Sequence, residues 1–271
     1  MSLNVTEGLR LIDEAGNQGA RLMVLPELCN TGYIYNSHEE LSAMAEPVPD
    51  GPTTEEWIKA AKKFNAYIFA GITERDGVRM YNTMAVVGPE GFVGKYRKTH
   101  LWNEEKLFFE PGNLGFPVFE LPFGKVGCRI CYDGCFPHVT SIYAAQGVDI
   151  ICDCTNWVVA GEVQTCEKPT CAYTAQALSV LYGVFTVCAD RFGTERDCTF
   201  IGASCIIAPS GDFLAGPASH NEPGVLVAEI NVTDAHNSRY WTPYNNMFTD
   251  RRTDLYDAYF GYDPKTGKRV E

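Results

Sequence analysis

The sequence predicts an α/β protein in which a mixed sheet, or two sheets, is covered by helices. Short apolar runs with the period-two alternation of strands recur along the chain, and segments with helical spacing lie between several of them. Some strands are joined by tight turns and others through helices. This mixture is typical of sheets that contain both antiparallel and parallel pairs.

The composition is that of a packed globular protein. The chain has 271 residues, of which 45% are hydrophobic and 21% charged, enough for one large domain or two small ones. The net charge of -12 offers no basic field to nucleic acid or to an anionic membrane, so we expect neither partner. No apolar run reaches the roughly 18 residues of a transmembrane helix, and we expect no signal peptide.

Cysteine is frequent, with eleven residues, most of them inside apolar runs such as 151–154 and 187–189. A core of this size needs no disulfides, so we interpret most of the cysteines as reduced core residues. This interpretation favours a reducing, cytoplasmic location.

The first half of the chain is predicted to contain two helices and four strands. Apolar residues recur every three or four positions in the helices, whereas the strands alternate or are wholly apolar. In order, the elements are a helix over 5–16, a strand over 21–25 that Pro26 ends, a helix over 57–64, and strands over 66–73, 81–87 and 92–98.

The second half continues this pattern and contains no internal repeat or linker. The predicted elements are a strand over 116–121, a strand that ends near the Asp133-Gly134 turn, a helix over 139–146, a strand over 148–156, a helix over 170–182, a strand over 184–189, a hairpin over 200–214, a last strand over 225–230 and a helix over 232–240. We therefore expect a single domain over 1–271, in which residues from about 232 to 271 form a polar, aromatic tail suited to an interface.

Three chemically complementary residues follow strand-like runs: Glu27, Lys98 and Cys131. Cys131 stands where a strand bends towards a helix, and a helix N-terminus favours the thiolate. A carboxylate can take the proton of a thiol, and a lysine can stabilise an oxyanion. Spacing alone leaves open a surface salt bridge for Glu27 and Lys98 and a core thiol for Cys131.

Three ordered blocks resemble the catalytic blocks of the nitrilase superfamily, the carbon–nitrogen hydrolases. They are Val24-Leu25-Pro26-Glu27, Tyr96-Arg97-Lys98-Thr99-His100-Leu101 and Ile130-Cys131-Tyr132-Asp133. With further similar segments such as Gly32-Tyr33, Tyr81-Asn82 and Thr155-Asn156-Trp157, the resemblance covers about residues 5–231. It implies one four-layer α-β-β-α sandwich domain without metal or cofactor, whose subunits pair through outer helices as a homodimer or higher homo-oligomer.

The resemblance also implies roles for individual residues. Cys131 takes the place of the nucleophile, Glu27 that of the general base and Lys98 that of the oxyanion stabiliser. Glu105 takes the place of a second glutamate that orients Lys98 and the substrate, with Glu110 as its rival. The backbone N–H of Tyr132 is expected at the oxyanion. Two further residues, Asn156 and Trp157, are expected to line the substrate pocket, although a core position for Trp157 stays open.

The implied activity is cysteine-dependent hydrolysis of a small amide or N-carbamoyl compound through a thioester. Tyr132-Asp133 is more similar to the amidase and carbamoylase branches, because nitrile-hydrolysing branches often carry Trp-Glu there. The alternative is a nitrilase that converts a nitrile to acid and ammonia through a thioimidate. The chain also starts directly at a helix, where the family usually has a strand first, so we expect an unpaired sheet edge.

Other classes of protein find less support in the sequence. A metal or redox module is one of them, but zinc sites usually pair one C-x2-C with another pair or with histidines. Here no second C-x2-C exists, and the five histidines are scattered. The cysteines of such a module would be Cys128, Cys131, Cys135, Cys152 and Cys154.

Overall fold

Two sheets that pack against each other organise the fold. The structure is a computed structural model that describes residues 2–260. The first sheet holds, in spatial order, β1 (Leu22–Val24), β2 (Tyr67–Asp76), β3 (Arg79–Gly88) and β4 (Gly91–Arg97). β1 is parallel to β2, and the other pairs are antiparallel. The mixed α/β class that the sequence predicts is therefore confirmed.

The second sheet has six strands, numbered here in chain order: β5 (Val118–Leu121), β6 (Gly124–Ile130), β7 (Ile150–Cys154), β8 (Phe185–Ala189), β11 (Cys205–Ile207) and β12 (Phe213–Ala215). Their spatial order is β12-β11-β8-β7-β6-β5, with β6, β7 and β8 parallel. Two small hairpins lie outside both sheets, β9 (Phe192–Glu195) with β10 (Cys198–Ile201) and β13 (Tyr240–Thr242) with β14 (Asn245–Asn246).

Helices cover the sheets. They are α1 (Leu3–Asn17), α2 (His38–Met44), α3 (Pro52–Phe64), α4 (Glu105–Phe108), α5 (Pro137–Ala145), α6 (Thr170–Tyr182), α7 (Thr233–Asn237) and α8 (Thr253–Phe260). α1 and α3 pack on the first sheet, and α5 and α6 pack on the second. None of the helices within residues 2–260 combines the length and the apolar character needed to cross a membrane.

The side chains of β2 show why the sheet is apolar on both faces. Ile68 and Ala70 face the core under α1 and α3, whereas Phe69 between them faces the core shared with the second sheet. Successive strand residues point to opposite faces. A strand that is buried on both sides is therefore a continuous apolar run, as the sequence of β2 is.

The expected unpaired edge is present in the described part of the chain. β1 pairs with β2 on one side only, and its other edge borders a groove of about 1030 Å³. Residues 225–230 border the same groove without joining a sheet, so the predicted last strand is wrong. Alternating apolar residues form a ladder only where a neighbouring strand supplies partners.

Several other predictions of secondary structure need correction. The strand expected from residue 200 to 207 is two strands, because the chain turns at Gly202, whose φ is +67°. The helix expected over 232–240 is the shorter α7. Several elements were not predicted, among them α2, β9, β13, β14 and α8. Residues 261–271 of the predicted tail lie outside the described residues.

Candidate active site

Three of the predicted charged residues meet in the interior. The Nζ of Lys98 lies 2.6 Å from Oε1 of Glu27 and 2.6 Å from Oε1 of Glu105. The side chains of Glu27 and Lys98 are fully buried, and that of Glu105 is 3% exposed. The Cys131 thiol lies close enough to feel the charges of all three. The surface salt bridge that the sequence left open is therefore excluded.

Glu27 reaches this place because the chain that leaves β1 through Pro26 passes close to β2. A Cβ at Gly71 on β2 would stand 2.4 Å from the carbonyl oxygen of Pro26, so only glycine allows the approach. The N–H of Glu27 donates to the carbonyl oxygen of Thr155, 3.3 Å away. This bond ties the end of β1 to the segment that follows β7 in the second sheet.

Lys98 and Glu105 are held by the chain that leaves β4. The N–H of Lys98 donates to the carbonyl oxygen of Asn82 on β3, and its own carbonyl accepts from Gly112. Glu105 is the first residue of α4 and is buried. Glu110, the rival candidate, is exposed to solvent. The second carboxylate beside Lys98 is therefore that of Glu105.

Cys131 has a strained backbone. It follows β6 directly and starts a 3-10 turn over Cys131–Cys135, with a φ of +48° that L-residues rarely adopt. Two buried aspartates hold this conformation. The N–H of Cys131 donates to Asp153 and the N–H of Ile130 donates to Asp133, at 3.0 and 3.1 Å.

Each of these aspartates is fixed by its own partners. Asp153 is paired with the buried guanidinium of Arg129, and burial raises the pKa of Asp153 to about 6. Asp133 accepts hydrogen bonds from the hydroxyls of Tyr96 and Thr99. Hydrogen bonds from several partners therefore hold the turn in this conformation. A strained residue persists only where its surroundings hold it in this way.

The turn also leaves one backbone donor free. The N–H groups of Ile130 and Cys131 are used by the two aspartates. The next N–H, that of Tyr132, makes no hydrogen bond within residues 2–260. Oxyanion holes are commonly built from backbone N–H donors of this kind.

Burial and neighbouring charges set the protonation of Glu27 and Lys98. Burial raises the pKa of Glu27 to about 7, although the charge of Lys98 acts in the opposite direction. Burial by itself would lower the pKa of Lys98. The charges of Glu105 and Glu27 outweigh burial and hold the pKa of Lys98 well above its ordinary value.

The expectation that the helix N-terminus favours a thiolate is wrong for this chain. Burial raises the pKa of Cys131 well above its ordinary value, and the charge of Glu27 adds to the effect. Lys98 acts in the opposite direction without cancelling it. Cys131 is therefore a protonated thiol at neutral pH.

The structure brings Asn156 to the site and places Trp157 in the core. The Nδ2 of Asn156 donates to the carbonyl oxygen of Glu27 at 2.8 Å, and its backbone N–H acts to lower the pKa of the Cys131 thiol. Trp157 is 3% exposed and packs with Ala172 and Cys205. It also borders the small cavity behind Cys131.

Two residues of the site were not singled out from the sequence. The hydroxyl of Tyr33 donates to Oε1 of Glu105 at 2.5 Å, and the Nδ2 of Asn82 donates to Oε1 of Glu27 at 2.6 Å. The segments Gly32-Tyr33 and Tyr81-Asn82 belong to the resemblance, and this was the available signal. Their roles depend on packing between segments that lie far apart in the chain.

Four buried oxygen atoms at the site accept no hydrogen bond from the described residues. They are Oε2 of Glu27, Oε2 of Glu105, Oδ1 of Asn82 and Oδ1 of Asn156. All four are acceptors. Buried polar atoms in native proteins are usually paired, so this set is suited to a ligand that donates hydrogen bonds.

The alternative of a metal module finds no ligand set between residues 2 and 260. No three His, Cys, Asp or Glu side chains come together there in a way that would hold an ion. Cys128, Cys152 and Cys154 instead pack in the core between the sheets. They behave as small apolar residues.

Comparison with known proteins identifies the family. A family model described as Carbon-nitrogen hydrolase matches residues 2–240. The chain belongs to the carbon-nitrogen hydrolase family. A protein named Nitrilase from Pyrococcus abyssi is 43% identical over 256 residues, which are 93% of this chain and 92% of that protein. The N-carbamoylputrescine amidase of Solanum lycopersicum is 30% identical, over 97% of this chain and 91% of its own.

A solved structure of the carbon-nitrogen hydrolase family has the same fold. The carbon-nitrogen hydrolase from Helicobacter pylori G27 superposes with a TM-score of 0.81 at 25% identity, over 93% of this chain and 91% of that one. The relatives of this carbon-nitrogen hydrolase thus include proteins named for nitriles and for carbamoyl compounds. The choice between these substrates has to come from the site.

Proposed function

We propose that this carbon-nitrogen hydrolase cleaves a small amide or N-carbamoyl compound. The observation that carries the proposal is the set of four buried acceptor oxygens without a donor. An amide or ureido group brings N–H donors to such a site, whereas a nitrile brings none. Each buried acceptor left unpaired costs about 1–3 kcal/mol, so the site favours the substrates that can donate.

The proposed reaction uses side chains and one backbone N–H of this chain together with a water molecule. Glu27 takes the proton of the Cys131 thiol, and the sulfur attacks the carbonyl carbon of the substrate. The N–H of Tyr132 and the ammonium of Lys98 stabilise the oxyanion. Glu27 passes the proton to the leaving nitrogen, and the carbon–nitrogen bond breaks to leave a thioester. Glu27 then activates water, which releases the acid and restores the thiol.

The other site residues have supporting roles in this proposal. Glu105 orients Lys98 and the substrate, Asn156 contacts the substrate through its free Oδ1, and Trp157 supports the pocket from the core. A base whose pKa lies near 7 suits the two proton transfers of Glu27, because such a group both accepts and returns a proton at neutral pH.

The second candidate function is that of a nitrilase acting through a thioimidate. It is favoured by the name of the relative from Pyrococcus abyssi, which is 43% identical. The same nucleophile and base serve both reactions. The two candidates differ in the substrate that satisfies the buried acceptors.

We further propose how the chain is organised and where it works. The cores on both sides of each sheet support a four-layer α-β-β-α sandwich, formed by a single domain over 1–271. Exposed Tyr173 and Leu181 on α6, and Tyr240 and Trp241 in the tail from residue 232, support a homodimer or larger homo-oligomer. The eleven free cysteines support a cytoplasmic location.

The test is ammonia release from a matched nitrile, amide and N-carbamoyl compound. We expect release from the amide or the carbamoyl compound, and loss of at least about 10³-fold in Cys131→Ala. The neighbouring Cys135, which is exposed, provides the matched control Cys135→Ala with near-normal rates. Release from the nitrile with the other two inert would establish the nitrilase instead. Full turnover by Cys131→Ala would refute the proposed nucleophile.

A further inference from the structure

Tyr33 makes a short hydrogen bond to the second carboxylate of the site. Its hydroxyl lies 2.5 Å from Oε1 of Glu105, the same oxygen that accepts from Lys98. Burial, with the charge of Glu105, raises the pKa of Tyr33 well above its ordinary value, so the phenol stays a neutral donor. Two donors on one oxygen fix the plane of the carboxylate and leave Oε2 as the free acceptor.

The backbone of Tyr33 is held by a residue from a distant hairpin. The carboxylate of Glu195 on β9 accepts hydrogen bonds from the N–H groups of Tyr33 and Ile34, at 3.0 and 3.3 Å. A Cβ at position 32 would stand 2.7 Å from Glu195 Oε1, and the φ of Gly32 is +109°. Glycine at 32 is therefore what allows the carboxylate to approach the turn.

The ring of Tyr33 is held by the same hairpin. It packs edge-on against Phe200 of β10, with ring centroids 5.8 Å apart. The guanidinium of Arg191 lies over the ring of Phe200, 4.6 Å from the ring centroid. Arg191 also forms an ion pair with Glu195. The backbone and the ring of Tyr33 are thus both held by the hairpin β9–β10.

The hairpin also contacts the chain that follows Asn156. The N–H of Ile201 donates to the carbonyl oxygen of Trp157, and the N–H of Val159 donates to the carbonyl oxygen of Thr199. The hairpin is a separate two-stranded sheet that joins neither large sheet. Its contacts therefore link two segments of the site instead of extending a sheet.

We propose that Tyr33 is a positioning residue, anchored by Glu195 of the β9–β10 hairpin, that fixes Glu105 against Lys98. The inference rests on the proposed function, because Glu105 and Lys98 act there on the substrate and its oxyanion. Without the phenol, Glu105 keeps its bond to Lys98 but is free to rotate, and its Oε2 leaves the orientation that meets the substrate.

The test compares Tyr33→Phe with Tyr35→Phe. The hydroxyl of Tyr35 lies in the same loop and bonds to Thr31, Thr73 and the carbonyl of Gly32, with no carboxylate among these partners. We expect Tyr33→Phe to lower kcat on the amide or carbamoyl substrate by about 10–100-fold with a smaller change in KM. Tyr35→Phe should keep the kcat of the wild type.

A second readout needs no substrate. The rate at which iodoacetamide alkylates Cys131, followed by mass spectrometry of its peptide, reports on the base that takes its proton. We expect the onset of alkylation in Tyr33→Phe to move to higher pH by about half a unit to one unit, because fewer donors hold the carboxylates ionised. The onset in Tyr35→Phe should not move.

The anchor is tested with Glu195→Gln, alone and combined with Tyr33→Phe. Glu195→Gln should lower kcat in the same direction but less, and the double variant should lose little beyond Tyr33→Phe, since the two act through one contact. The inference would be overturned if Tyr33→Phe kept both the kcat and the alkylation profile of the wild type. It would also be overturned if the loss of kcat were no larger than the unfolded fraction of the Tyr33→Phe protein. A wild type that is inactive on all substrates would instead contradict the proposed function, and alkylation would still decide the role of Tyr33.

Discussion

The ammonium of Lys98 lies 2.6 Å from Glu27 and 2.6 Å from Glu105, so one buried cation serves two buried carboxylates. When both carboxylates are ionised, this set carries one net negative charge away from water. Burial disfavours that state, and the pKa of Glu27 is accordingly raised to about 7. The base of the proposed reaction is therefore half protonated near neutral pH.

The first prediction concerns the pH dependence of activity. Glu27 accepts a proton only when ionised, so kcat/KM on the amide or carbamoyl substrate should fall below a midpoint near pH 7. Initial rates between pH 5 and 9 check it, with stability measured in parallel. A rate that stays constant down to pH 5 would contradict the role of Glu27 as base.

The second prediction concerns stability in Glu27→Gln. The folded-state pKa of Glu27 lies above its ordinary value of 4.5, so its contribution to stability is present below that value and is lost as the pH rises through about 7. Glutamine does not titrate, so the variant does not lose stability in this way, and Lys98 keeps Glu105 as its partner. The variant should therefore gain on the wild type between pH 5 and pH 8, by an amount on the order of 2 kcal/mol.

Urea unfolding at the two pH values measures this difference. The control is Glu110→Gln, because Glu110 is exposed and its replacement should change stability equally at both pH values. A difference between Glu27→Gln and the wild type that does not grow with pH would show that burial leaves Glu27 unperturbed.

The third prediction concerns Lys98→Met. Methionine fills the space but leaves the carboxylates of Glu27 and Glu105 facing each other without a cation. Breaking a buried pair in this way costs about 3–5 kcal/mol, so the midpoint of urea unfolding should fall well below that of the wild type. The matched control is Lys59→Met, which removes a lysine from the exposed pair with Glu56 and should leave the midpoint nearly unchanged. Equal midpoints for the two variants would contradict the buried pair.

The positions of Glu27, Lys98 and Cys131 could be predicted because strand ends are visible in a sequence. Each follows an apolar run, and the resemblance supplied their order. The resemblance put Glu105 in the place of the second glutamate but left Glu110 as a rival, since both lie in one segment and only the packing of α4 buries Glu105. The direction of the thiol pKa was missed for a similar reason, because desolvation comes from segments distant in sequence.

The strand expected over 225–230 illustrates a different limit. The sequence has the right alternation, but a strand also needs a neighbour that supplies hydrogen bonds, and the groove beside β1 lies where that neighbour would be. Two residues on β8 and β11, Val187 and Ile206, are only half-buried, although the adjacent strand β7 is fully buried. The unpaired edge of β1 and the half-buried residues of the second sheet therefore share one cause, the groove that borders them both.

The last prediction follows from this groove. The Oγ of Ser2 donates to the carbonyl oxygen of Asn30, so α1 starts near the carboxyl end of β1. Six Val- and Ile-rich residues added ahead of Ser2 would run back along β1 as a parallel strand, joined to it by the right-handed crossover that α1 provides. They should raise Tm by about 4 °C or more and slow hydrogen exchange at the Val24 N–H, since the Leu25 N–H already bonds to β2. The same segment with two prolines, which cannot donate to a ladder, is the control, and an equal Tm for both extensions would show that the groove accepts no strand.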